Sequence, residues 1–540
     1  MGHRPYPGTA LSFVRDDENA IFVDRHYDNR DLTELRNILD RVPDIALVIY
    51  GSSAWNGFHT FFLPTNKAFA KVIDRNRVDR EVLLAHVSGM NRVGELKVLI
   101  QIWILGSCLG FYSHTLGYLM EEFTFILQLG RFSSNIIEDN YKLKLSMRNI
   151  TDHRTGKWDL YAVSTIYERY GEFRRGAVWA KILVPNIPVQ NGVVHIVDNV
   201  LGIVTNTIDQ MLMDNYRCTT LMRYMATIGQ VYNFLKIWYF LKIVRNYMSA
   251  TGGLVTFFAP WNEAFERIPE PIERRLLRDR IWLEQVLKLH IIPAKELVSE
   301  EITNDTIIAT VDNMRHLYFS KTEWPKNNIT YYVIGGGIRT AIQMEDVTAT
   351  NGIIHYIDRV LGVPYQSLWE VLLNETRAHQ SMEMLNNLQL KYTLDPWQVL
   401  TPEQNMTFFV PIDEAWDKVS PSMKNRLLDG NHWQALQYVY KRHILQGQAL
   451  MYTDLRERTY VMMNDEKVII RRRGRYFELY WPRGNRVARI IEGGEIAGIN
   501  GFMHLIDGVL VYEPDLRAGS AIVLIDNQLL LFLIFLILFW

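Results

Sequence analysis

Six histidines and three aspartates are the residues of this 540-residue chain whose types and spacing come nearest to chemistry. His86, His290 and His443 close helix-like runs. His195, His355 and His504 lie within "NGVVHIVDNV", "NGIIHYIDRV" and "NGFMHLIDGV", each three residues ahead of Asp198, Asp358 or Asp507. Imidazole beside carboxylate is the raw material of a metal site or of a water-activating base. Two histidines per set are too few for zinc without further ligands, and Cys108 and Cys218 stand outside these motifs. No Gly-x-Ser-x-Gly elbow or His-Glu-x-x-His occurs. A polar residue repeated on an apolar strand reads better as a buried hydrogen-bonding pin that fixes register. Catalytic, metal and cofactor-binding residues are therefore assigned as none, and a His/Asp hydrolase is kept only as a remote alternative.

Other chemistry-bearing stretches are superficial in kind. Arg471, Arg472, Arg473 and Arg475 could grip a sulfated glycosaminoglycan through paired guanidinium contacts. The alternation in "VIIRRRGRYFELYW" equally fits a hairpin with a charged face and a turn at Gly474. Asn149, Asn304, Asn328, Asn374 and Asn405 begin Asn-x-Ser/Thr triplets, acceptors for glycans if the chain is secreted. Asn405 is the weakest of them, because its Thr407 opens a strand. A net charge of -1 gives no electrostatic reason to expect nucleic acid. Two cysteines cannot supply a disulfide framework, so each domain must be held by its core.

The elements that position these residues repeat three times. "TFFLPTNKAF" begins at Thr60, "TFFAPWNEAF" at Thr256 and "TFFVPIDEAW" at Thr407, with Pro64, Pro260 and Pro411 ending the strand. In this joint Thr256 and Asn262 are expected to brace the turn. A helix carrying the first histidine follows each copy, and the Asn-Gly-x-x-His element follows that. Lead-in helices precede each copy, and strand-like sequence lies between the two histidines. The result is an α+β architecture of three tandem domains, each large enough for its own core.

This combined pattern resembles the fasciclin domain family, and within it the GPI-anchored insect neuronal adhesion type. The resemblance covers about residues 19 to 513. It implies a β-sheet wedge with flanking helices, an extracellular location, and adhesion without catalysis. It divides the chain into 19–203, 204–363, 364–513 and a hydrophobic tail, 514–540. It also points to the acidic-aliphatic pairs Asp346-Val347 and Glu495-Ile496 as candidate receptor-binding positions, since a loop carboxylate can complete a receptor-held cation's oxygen shell, although a strand-entry turn accounts for them more simply. Asn186-Ile187 is the uncharged counterpart. The partners implied are a second copy of the chain or cell-surface and matrix receptors. An integrin- or glycosaminoglycan-binding matrix module is the alternative.

Two regions depart from the pattern. Leu529 to Trp540 is wholly apolar and, at about 18 Å as a helix, short of a ~30 Å hydrocarbon core. The small residues Ala518, Gly519 and Ser520 precede it, so the tail reads as a GPI-attachment signal on the cell surface. The opening residues contain no apolar leader, so the N-terminus is expected to be incomplete. The first domain also exceeds the others between its histidines by about 44–48 residues, through a hydrophobic insertion at about 95–135. A membrane span there would separate two halves of one core, so the stretch reads as non-native.

Overall fold

The computed structural model describes residues 6–16, 32–51, 59–72, 78, 80–89, 131–133, 143–151, 156–166, 175–229, 254–311, 315–324, 328–386, 388, 394, 405–428 and 433–514. The three Thr-Phe-Phe copies form strands His59–Pro64, Val255–Pro260 and Met406–Pro411. β-Branched and aromatic side chains favour extended backbone, and proline closes each strand because it has no N–H to continue the ladder.

Side chains alternate across a strand, so two adjacent phenylalanines point to opposite faces. Phe61, Phe257 and Phe408 enter cores shared with the helices. Phe62, Phe258 and Phe409 enter second cores shared with the strands of the meander. Each such burial contributes about 2–3 kcal/mol. The dipeptide thus anchors both sides of the sheet.

Each of these strands pairs in parallel with an Asn-Gly strand: Gly192–Val197, Gly352–Ile357 or Gly501–Ile506. Register is the same in all three, with Phe62 opposite His195, Phe258 opposite His355 and Phe409 opposite His504. The Asn-Gly strand returns antiparallel against a long strand, Gly176–Val189, Ile338–Ala349 or Arg486–Gly498. Register shifts interrupt that pairing, as between Met344 and Val347 and between Ile490 and Glu495. Extra residues bend a strand at such bulges. The far half of the long strand therefore leaves the helices and joins an antiparallel meander.

The first unit repeats this strand pattern; it begins ahead of the residue-19 boundary read from sequence and takes in the last residues of the stretch read as an insertion. Tyr6, Ala10, Leu11, Phe13 and Val14 pack into its core, ahead of residue 19. Arg131–Ser133, at the end of the hydrophobic stretch, pairs with Lys144–Ser146 as an edge strand of the meander. Residues 95–130 lie outside the described residues, as do 515–540 with Ala518, Gly519 and Ser520. Among the described residues no helix is long and apolar enough to cross a membrane.

Adjacent units meet through their long strands. Val347 pairs with Ala177, fusing the first two sheets into one of 14 strands among the described residues; the third has seven there. Trp179 donates its Nε1–H to the Glu345 carbonyl at 3.0 Å, and Arg148 reaches the Glu345 carboxylate at 3.3 Å. Between the second and third units, the Ala497 amide donates to the Gly337 carbonyl at 2.8 Å.

Candidate functional site

Each helix-borne histidine ties the helix end to the chain that leaves the Asn-Gly strand. The Nδ1 atoms of His86, His290 and His443 lie 2.7, 2.7 and 2.8 Å from the carbonyls of Val82, Val286 and Val439. Their Nε2 atoms accept from the amides of Leu201, Leu361 and Leu510 at 2.9, 3.1 and 3.1 Å. The two contacts fix one tautomer, with the proton on Nδ1. No ring nitrogen is left for a metal or a substrate.

The strand-borne histidines stack on the second phenylalanine of the motif, at 5.4 Å for Phe62–His195, 5.2 Å for Phe258–His355 and 5.6 Å for Phe409–His504. His195 and His355 accept from the bulge amides of Asn186 and Asp346. His355 and His504 meet the Leu297 and Leu450 carbonyls, both at 2.8 Å. Asp198, Asp358 and Asp507 each accept an amide of the long strand, from Lys181, Ala341 and Arg489. Among the described residues no three His, Cys, Asp or Glu side chains form a metal-binding group.

Thr256 corrects the expectation that it braces the strand-to-helix turn. Its hydroxyl donates to the Lys295 carbonyl at 2.7 Å and accepts from the Leu297 amide at 2.8 Å. Thr407 does the same with Gln448 and Leu450. Asn262 likewise reaches away from the turn, accepting from the Thr220 amide of a lead-in helix at 2.9 Å. The partners are too distant in sequence for local turn rules to identify.

The repeated asparagine carries a role that spacing did not show. Asn191, Asn351 and Asn500 accept the first helical amides of Ala10, Ile208 and Leu368 at 2.8, 2.9 and 3.0 Å. These are donors a helix start leaves unpaired. One side chain therefore docks each lead-in helix on its sheet.

Asp346 faces inward and Glu495 is half-buried. Asp346 is 2% exposed and sits at a positive φ of 60°, which turns its carboxylate onto the Ser299 amide and hydroxyl. Burial pushes this carboxyl up to about 6 despite the Ser299 hydrogen bonds. Glu495 accepts from the Tyr452 amide, and burial raises it to about 7. Both carboxylates thus cap short 3-10 turns, Ser299–Glu301 and Tyr452–Asp454. Val347 and Ile496 pack against apolar cores beside them.

The four arginines do not converge on one surface. Arg471 lies over the Tyr480 ring at 3.6 Å, and Arg473 pairs with Glu478 at 3.0 Å on that same face. Strand alternation sends Arg472 to the other face, over Phe477, and Arg475 occupies the turn with Gly474. A stronger cationic feature is Arg442, fully buried, pairing with Glu466, donating to the Leu510 carbonyl at 2.6 Å and lying 3.7 Å over Trp481. Its signal was a charge beside a motif histidine, "YKRHIL" against "LKLHII".

Protonation of the six histidines sets an acid limit. Burial lowers all six from 6.5 to about 4. Stability from a depressed imidazole is complete above pH 6.5 and is lost as pH falls towards 4. Asp346 and Glu495 act oppositely, because raised carboxyls stabilise at low pH and lose that contribution as pH rises through 6–7. Burial raises the carboxyls of Asp198 and Glu345 as well; the six imidazoles outweigh these four carboxyls, so unfolding free energy should fall by about 1 kcal/mol or more between pH 7.5 and pH 5. Urea midpoints at the two pH values check this; an equal or higher midpoint at pH 5 contradicts it.

This arrangement defines a class of repeated scaffold, in which the recurring histidines, asparagines and aspartates bond to the protein's own main chain. A model of the fasciclin domain matches residues 230–364 and 377–512, half of the chain, and the chain belongs to that family. The first unit lies outside both matched intervals. Fasciclin-1 of Schistocerca americana is 26% identical over 500 residues, covering 89% of this chain and 68% of that protein. Fasciclin-1 of Drosophila melanogaster is 26% identical over 430 residues, 74% of this chain and 60% of that protein, so the chain spans under two thirds of it. Human periostin is 27% identical over 197 residues, 34% of this chain and 20% of that protein. A solved FAS1 domain pair from the insect cell adhesion molecule fasciclin I matches with a TM-score of 0.42 and 24% identity, over 52% of this chain and 97% of that one.

Proposed function

We propose that the chain is an extracellular cell-adhesion protein of three tandem fasciclin-type units. Homophilic or receptor contacts, each weak, would be multiplied by valency. The observation that carries this reading is the internal use of the helix-borne histidines, the asparagines and the aspartates of the repeated motifs. Binding is left to surfaces that differ between units. Membership in the fasciclin family and the likeness to insect Fasciclin-1 support the adhesion reading, and a role in neuronal adhesion is its finer form. A GPI anchor attached near Ala518, Gly519 or Ser520 would hold the protein at the outer cell surface.

Suspension cells expressing the full chain should aggregate with one another and should shed the protein on phosphatidylinositol-specific phospholipase treatment. Protein retained after treatment counts against the anchor. Dispersed cells that nonetheless display the protein count against homophilic adhesion.

The exposed Arg473 and its neighbour Arg471 support a second reading, glycosaminoglycan binding. Arg471→Ala with Arg473→Ala should then reduce heparin retention while aggregation survives. Receptor contact through Asp346-Val347 is separable from its structural role. If Asp346 serves a receptor, Asp346→Asn abolishes cell attachment at unchanged urea midpoint. Its hydrogen bonds to Ser299 instead favour a lowered midpoint.

A further inference from the structure

The seam between the first two units holds a cleft of about 260 Å³. Its apolar walls come from both sides: Tyr161 and Trp179 from the first unit, Trp261, Met344 and Tyr356 from the second. The rings pair within each wall, Tyr161 edge-on to Trp179 at 5.8 Å and Trp261 stacked on Tyr356 at 5.8 Å. Sites for small molecules are concave and mostly apolar, with a few placed polar groups that fix orientation. Here those groups are two donors.

Trp261 is 3% exposed and Arg217 7%, and both line the cleft. The Arg217 guanidinium lies 3.7 Å over the Trp261 ring and donates through Nη2 to Glu263 at 3.1 Å. Its Nε–H and the Trp261 Nε1–H are buried, and neither has a hydrogen-bond partner among the described residues. Trp179, on the opposite wall, spends its own Nε1–H on the Glu345 carbonyl. A buried donor left unmade is costly, and native interiors hold few of them. Two together in one wall call for an acceptor atom from outside the chain.

Charge argues against an anion as its source. Lys181 pairs with Asp159 at 2.8 Å, Arg217 pairs with Glu263, and Lys71 donates to the Asp198 carbonyl at 2.9 Å. Asp198 and Asp214 line the cleft as well. These three cations therefore face four carboxyl groups. The surplus in the cleft is of N–H donors, not of positive charge.

The second joint shows that the repeat alone does not produce this arrangement. Ile412 follows the strand-ending proline where Trp261 does, and Arg377 occupies the middle of the 3-10 turn where Arg217 does. Arg377 is bonded to Glu375 through both Nε and Nη2, each at 2.9 Å. The stacked pair with two spare donors belongs to the first joint.

We propose that this cleft binds a compact, neutral aromatic carbonyl compound, with its ring between the walls and its oxygen accepting from Trp261 and Arg217. Because the walls belong to different units, the bound molecule fastens the seam. The inference is independent of the adhesion reading above.

The test is equilibrium dialysis of the purified full chain against three probes of one shape: 2-acetonaphthone, 2-naphthoate and naphthalene. The ketone should bind about tenfold or more tightly than naphthalene, which offers no acceptor, and more tightly than the anion. Trp261→Phe, which removes one donor and keeps a ring, should weaken the ketone about fivefold and leave naphthalene unchanged. Amide exchange across residues 177–181 and 344–348 should slow when the ketone is bound. The ranking of the three probes needs no variant, so it decides the matter even where Trp261→Phe fails to fold. Naphthalene binding as tightly as the ketone overturns the inference, because the donors are then served by water. Tighter binding of 2-naphthoate overturns it in favour of an anion site. Full ketone affinity in a folded Trp261→Phe chain, or no ketone bound at saturation, overturns it outright.

Discussion

Gly352→Ala should unfold the second unit or cost it about 4 kcal/mol, among the largest effects a single methyl can have. Gly352 opens the Asn-Gly strand at a φ of 152°, and an added Cβ would stand 1.9 Å from the Val255 carbonyl oxygen. That oxygen cannot retreat, because Val255 is paired in register with Gly352 and buried in the core. Gly192 and Gly501 meet His59 and Met406 in the same way, at 1.8 and 1.9 Å. The comparison is Gly447→Ala, where φ is 79° but nothing lies within 4 Å. There only backbone strain remains, about 1 kcal/mol. Urea unfolding followed by tryptophan fluorescence separates the two; equal midpoints would remove close approach as the cause.

Arg442→Met should cost about 3–4 kcal/mol in the third unit, through loss of charge pairing and not of volume. The guanidinium is the only partner that joins Glu466, the Leu510 carbonyl and the Trp481 ring at one point among the described contacts. Lysine should not rescue it, since an ammonium has neither the planar fork nor the flat face for stacking. The double variant Arg442→Met with Glu466→Gln should recover part of the loss, because no uncompensated carboxylate stays behind. Additive losses in the double variant would show the pair to be energetically independent. Arg483 also reaches Glu466, at 2.8 Å, but from an exposed position where screening weakens it.

The two predictions mark where sequence reasoning reached and where it stopped. The phenylalanine pair and its proline were legible, because a two-residue alternation leaves its mark in adjacent residues. The histidines were legible as buried pins for the same reason, since a polar group on an apolar run requires partners. Their partners were not, because they are main-chain atoms that carry no residue signature. Asp346 illustrates the limit most clearly. Its acidic-aliphatic neighbourhood reads as an exposed loop, but a bulge with positive φ rotates the carboxylate inward onto Ser299. Bulges are decided by pairing across strands, which a linear pattern does not record. The contacts between units were equally silent. Arg148, Trp179 and Glu345 meet across the first joint without being repeated at the second.

That first joint also has a mechanical meaning. On the adhesion reading proposed above, the chain is pulled along its length, and independent beads on a flexible string would first swing into line. Here Val347 lies beside Ala177 as if both belonged to one sheet, and Thr348 donates to the Arg175 carbonyl at 3.1 Å. Tension would reach the second unit through these bonds before any reorientation could relax it. The first two units would then carry load as one stiff lever, and the bonds at their seam would be the first to break.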